Sequence, residues 1–128
     1  MANTFKLVTK AGVTSADVIY TVASSTTTIV LGLTIGNTTS SAITTTVTIE
    51  SDTANRSGAN NEANQAVEVL TSSAIAANSS LEVMSGNKIV MEATDVLKVT
   101  GSGAVDIILS IMEITWQWGY WQTYINLM

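Results

Sequence analysis

Between Thr26 and Glu50 threonine largely alternates with isoleucine, valine and leucine, and that two-residue period admits little except β-strands. Successive strand side chains point to opposite faces, and a β-branched polar residue suits a face that meets water. A disordered threonine-rich tract would lack the interleaved aliphatics. The pattern predicts a strand over Thr28–Gly36, with Ile29, Leu31, Leu33 and Ile35 on one face and Thr28, Val30, Gly32 and Thr34 on the other. A second strand is expected over Ala42–Glu50, with Ile43, Val47 and Ile49 inward and Thr44, Thr46 and Thr48 outward. Asn37 to Ser41 reads as the turn joining these two strands in a hairpin.

The same reading extends in both directions. Thr4–Lys10 is a strand with Phe5 and Leu7 on one face, and Asp17–Val22 is a strand with Val18, Tyr20 and Val22 aligned. Ser51 to Asn64 is a long polar loop, and Gln65–Leu70 resumes strand character, with a short helix over Asn61–Leu70 as the alternative. Short strands follow at Ser80–Met84, Lys88–Glu92 and Val96–Thr100, with Ser85-Gly86-Asn87 as a tight hairpin turn and Ala93-Thr94-Asp95 as another. The last strand, Val105–Thr115, is apolar on both sides: Val105, Ile107, Leu109 and Ile111 on one, Ile108, Met112 and Ile114 on the other. That pattern requires a central position or a covered outer face. Eight or nine short strands with turn signals between them predict an all-β antiparallel sandwich, jelly-roll-like.

Composition removes much chemistry. The 128-residue chain has no histidine, cysteine or proline, which excludes a Ser-His-Asp triad, a disulfide framework and thiolate or imidazole metal sites. Its bases are only Lys6, Lys10, Arg56, Lys88 and Lys98 against a net charge of −5, too few and too scattered to neutralise a run of phosphates, so no nucleic-acid partner is expected. Residues 1–14 lack the apolar run of a signal peptide, and no stretch is long enough for a membrane-spanning helix. Ser85 with Lys88 reads as a turn beside a surface charge. The carboxylates Glu82, Glu92, Asp95, Asp106 and Glu113 show no pairing that would make a hydrolytic site, and Glu113, in phase with the core residues of its strand, reads as a hydrogen-bonded or interface carboxylate. Asp52, Asn55, Asn60 and Glu62 lack the spacing of a calcium loop. No cofactor, no metal and no enzymatic activity are expected.

The aromatic residues are distributed very unevenly. Trp116, Trp118, Tyr120, Trp121 and Tyr124 fall in the last 13 residues, whereas the rest of the chain holds only Phe5 and Tyr20. Each buried ring removes about 150–250 Å² from water, roughly 4–6 kcal/mol gross. Exposed together they would form a patch that monomers rarely tolerate. We therefore read residues 1–115 as the sandwich domain and 116–128 as an aromatic arm whose five rings form a partner interface, the alternative being packing on its own domain.

Ile19-Tyr20-Thr21-Val22, Thr26 through Leu33 and Ile35-Gly36-Asn37 resemble small virion structural proteins of tailed bacteriophages, especially those of cyanobacterial and other marine hosts. Ser80 to Met84, Gly86 to Glu92, Asp95 to Thr100 and Ile108 to Glu113 extend the resemblance. These are structural patterns, covering roughly residues 5–115. The polar loop over 51–64 and the aromatic arm depart from the family pattern. The resemblance implies a non-enzymatic virion protein, made in the host cytoplasm, whose partners are other virion proteins, the major capsid protein first, and copies of itself, a trimer being one option. A capsid decoration or cement role is expected, with a tail, neck or fibre component, or a carbohydrate-binding module for host glycans, as alternatives.

Overall fold

The computed structural model describes residues 2–51 and 65–115. The predicted polar loop, the candidate calcium donors and the aromatic arm with Trp116, Trp118, Tyr120, Trp121 and Tyr124 lie outside the described residues.

The described chain is all-β. Its strands are β1 (Ala2–Val13), β2 (Asp17–Thr21), β3 (Thr26–Asn37), β4 (Ile43–Ser51), β5 (Gln65–Ile75), β6 (Ser79–Glu82), β7 (Ile89–Met91), β8 (Val96–Gly101) and β9 (Val105–Thr115). The first sheet runs β1-β9-β3-β6, with β7 also on β3, and the second runs β2-β8-β4-β5. Every pairing is antiparallel. Except for β4–β5 and β6–β7, consecutive strands lie in different sheets, and the order is that of two nested Greek keys, the jelly-roll arrangement.

The sheets pack through their inner faces. Val30, Leu33, Ile35, Ile107, Leu109 and Ile111 from the first meet Ile43, Val47, Ile75, Leu97 and Val99 from the second in one buried cluster. β9 is central, between β1 and β3, in keeping with its two apolar sides. Over residues 65–70 the strand reading holds and the helix alternative does not.

Three expectations are corrected. First, β3 and β4 do not form a hairpin; they lie in different sheets. Asn37 belongs to the last position of β3, and the segment after it crosses the sandwich. The buried Asn37 amide fixes that crossing: Nδ2 donates to the carbonyls of Ser41 at 2.8 Å, Ile75 at 3.1 Å and Ala76 at 3.2 Å. Its Oδ1 accepts from the Thr39 amide at 2.9 Å and hydroxyl at 2.7 Å.

Second, the faces of β3 are not the simple alternation expected. A bulge between Val30 and Gly32 absorbs Leu31, so the inner face holds Thr28, Val30, Leu33 and Ile35, while Ile29 and Thr34 belong to the outer one. One extra residue exchanges the faces on its far side. A similar shift between Val18 and Tyr20 puts Val18 outside and turns Tyr20 inward.

Third, Ser85-Gly86 does not close a hairpin, because β6 and β7 both pair with β3, one after the other. The positive φ values of Ser85 (44°) and Gly86 (84°) instead shape an excursion within one interrupted edge strand. The buried Met84 plugs this excursion into the core.

Candidate functional site

The two outer faces of the sandwich are chemically opposite. On the second sheet, direct pairing sets Thr46 beside Thr100, Thr48 beside Lys98 and Glu50 beside Val96. Lys98 Nζ donates to Glu50 Oε1 at 2.6 Å, and Glu68, opposite Thr48, accepts from the Thr71 hydroxyl. Exposed Val18, beside Lys98 on β2, is an aliphatic exception on this threonine-rich, charged surface.

The outer face of the first sheet is apolar. Residues paired directly across strands share a face. Phe5 pairs with Met112, Met112 with Ile29, and Ile29 with Val90, giving an apolar row across four strands. The next rows are Leu7, Ser110 and Gly32, then Thr9, Ile108 and Thr34. On the other side, Asn3, Ile114 and Thr27 complete the surface. Phe5 is 72% exposed, Leu7 66%, Val90 61% and Ile108 50%. Along these paired rows the first charge is Glu82, opposite Thr34 at the sheet's far edge. This face is the candidate site. Phe5, Leu7, Ile108, Met112 and Ile114 were grouped by side from sequence, but only the register shows that they merge with Ile29 and Val90 into one surface.

Beside it, the outer edge of β1, unpaired among the described residues, carries cations on its inner side. Lys6 Nζ lies 2.7 Å from Glu113 Oε1, and Lys10 Nζ lies 3.9 Å from Asp17 Oδ2. Tyr20 reaches across from the second sheet and donates its phenolic proton to Glu113 Oε2 at 2.5 Å. With that proton committed, its oxygen accepts from the Thr28 hydroxyl at 2.7 Å. Lys6, and then Tyr20, hold the Glu113 carboxyl below its ordinary value of 4.5. Burial first, and the Glu113 carboxylate next, push the Tyr20 phenol up to about 12. The network is a clamp between sheets.

Two further carboxylates named from sequence serve local structure. Asp106 Oδ1 accepts from the Gly12 amide at 3.0 Å at the β1 bulge, and Asp95 Oδ2 accepts from the Glu92 amide at 2.9 Å in the turn before β8. Among the described residues, no group of three or more acidic side chains could hold a metal ion, and no helix is long and apolar enough to cross a membrane.

No protein-family model matches the chain, and no curated protein matches it. Among solved structures, the chain is similar to one described as "Bacillus endospore appendages form a novel family of disulfide-linked pili", at 13% identity and a TM-score of 0.49, over 91% of this chain and 88% of that one. A likeness at that level does not bear on function, and this chain contains no cysteine with which to form a disulfide.

Proposed function

We propose that the chain is a non-enzymatic structural subunit of a bacteriophage virion, a capsid decoration protein that stabilises the particle through repeated contacts of its β-domain and its aromatic arm. The observation that carries an assembly role is the uncharged apolar face around Phe5, Leu7, Met112, Ile29 and Val90, set against a threonine-rich, charged face on the other sheet. A contiguous apolar surface of this kind marks a protein contact. The phage part of this reading rests on the resemblance of residues 19–22, 26–33, 35–37, 80–84, 86–92, 95–100 and 108–113 to small virion proteins. The arm residues Trp116, Trp118, Tyr120, Trp121 and Tyr124 are the other half of the contact, and the major capsid protein and further copies of the chain are the partners.

Quantitative mass spectrometry of purified particles tests this reading. Decoration predicts a copy number in proportion to the capsomers. A few dozen copies or fewer would move the protein to the tail or neck, and absence from particles would end the virion reading.

A further inference from the structure

We infer that the apolar outer face of the first sheet is a receptor for residues 116–128 of a second copy of this chain. This names the partner of the assembly role proposed above and rests on that role.

Three observations converge. The first is complementarity. On β1, β9 and β3 the rows of Asn3, Phe5 and Leu7 bear no charge, with exposed Lys88 and Glu92 flanking Val90 at the β7 rim, and the side chains of residues 116–128 (Trp-Gln-Trp-Gly-Tyr-Trp-Gln-Thr-Tyr-Ile-Asn-Leu-Met) carry none. Two such surfaces bury each other without stranding an ion in a dry contact. Gln117, Gln122, Thr123 and Asn126 supply hydrogen-bonding groups for the rim.

The second is position. β9 ends at Thr115, abreast of Ala2 and Thr26. The row of Phe5 and Met112 lies three residues behind that end, roughly 10 Å back along the strand at about 3.3 Å per residue. Residues 116–128 therefore follow on from the end of the sheet nearest the Asn3 and Phe5 rows of this face.

The third is length. From Ile114 to Ile108 the face spans roughly 20 Å, whereas 13 extended residues reach roughly 43 Å. That is enough to leave one domain and lie along the whole face of the next. Because the donor segment and the receiving face are different stretches of the sequence, two copies exchange arms reciprocally in a closed dimer or pass them on head-to-tail in a ring or row.

The test uses two properties of the sequence. All three tryptophans lie in this segment, so intrinsic tryptophan fluorescence reports on it alone. There is no native cysteine, so introduced ones are the only thiols. In the full chain, blue-shifted emission is expected in a species heavier than the 13.4 kDa monomer. Leu7→Glu with Ile108→Glu, both exposed and both outside the tryptophan-bearing segment, should shift the emission to the red and weaken self-association by at least about tenfold, equivalent to 1.4 kcal/mol. Circular dichroism confirms the fold, with Val90→Glu as a second face variant. Mixing an Ile108→Cys chain with a Trp118→Cys chain should give a disulfide-linked heterodimer.

Blue-shifted emission in a monomer, with no heterodimer from that mixture and a disulfide formed instead inside a single chain carrying both Ile108→Cys and Trp118→Cys, would overturn the inference in favour of packing on the same domain. Red emission and a monomeric mass at every concentration would also overturn it. If particles still incorporate that monomer, the virion role survives and the arm docks on a different protein.

Discussion

The phenolic oxygen of Tyr20 on β2 donates to Glu113 Oε2 on β9 at 2.5 Å, joining the two sheets through residues 93 positions apart. Glu113 is held on its other oxygen by Lys6 from β1 at 2.7 Å. One carboxylate therefore ties an edge strand, a central strand and the opposing sheet.

The pH dependence of this clamp follows from its two titrations. Glu113 has its folded value lowered from 4.5, so its contribution is present above 4.5 and is lost as pH falls through the folded value. Tyr20 is raised from 10.0 to about 12, so its contribution is full below pH 10.0 and is lost as pH rises through about 12. Tyr20→Phe should cost about 1–3 kcal/mol at pH 7. Urea unfolding of both proteins from pH 7 down to pH 2 should show the gap closing as Glu113 protonates. A gap of constant size would mean that the loss came from packing.

Glu113 illustrates how far the sequence was legible. Its phase with Val105, Ile107, Leu109 and Ile111 marked it as a hydrogen-bonded carboxylate, because period-two alternation is a property of one strand. Its partners were not legible. Tyr20 faces inward because of a register shift after Val18, and nothing local in Asp17–Thr21 encodes that shift. The bulge at Leu31 hid the faces of β3 in the same way. The hairpin expected between β3 and β4 failed for a related reason. Asn37 is a turn-forming residue type, but here its side chain binds carbonyls near residue 75, a long-range contact that sends the chain across the sandwich. The apolar outer face shared this fate, since its rows exist only in the pairing of β1, β9, β3 and β7.

Asn37 should therefore behave as a structural joint. Its buried amide serves three carbonyls and its oxygen serves Thr39. Asn37→Ala deletes these bonds, leaving the Ser41 and Ala76 carbonyls only their donors from Thr39 and Ser79, and should destabilise the domain by about 2–3 kcal/mol. Asn37→Asp should be at least as harmful, because a carboxylate facing carbonyls has no proton to give. Thermal melts of the two variants provide the comparison. Rescue by Asp would refute the donor role.

Gly101 is required by close approach. A Cβ there would meet the Gly103 carbonyl oxygen at 2.4 Å, the Val13 carbonyl oxygen at 3.0 Å and Val105 Cγ2 at 3.1 Å. The first two are backbone atoms, which cannot swing aside. Gly101→Ala should destabilise by about 1–3 kcal/mol. Gly32, where a methyl group would find nothing within 4 Å, should accept alanine with far less effect, and the pair of melts separates steric conflict from a general cost of removing glycine from strands.

The exposed side chains of β1 should separate assembly from folding. Phe5 and Leu7 contribute little to the buried core, because both point away from the second sheet and remain mostly in solvent. Phe5→Thr and Leu7→Thr keep a strand-compatible residue on the pleat, so each should change domain stability by no more than about 0.5 kcal/mol. A surface held only for folding would then show no further consequence. If the face docks a partner, the same substitutions should reduce the amount of protein carried on purified particles while the unfolding midpoint in urea stays fixed. A fall in the midpoint matching the loss from particles would assign Phe5 and Leu7 to the stability of the domain and remove this face from the interface.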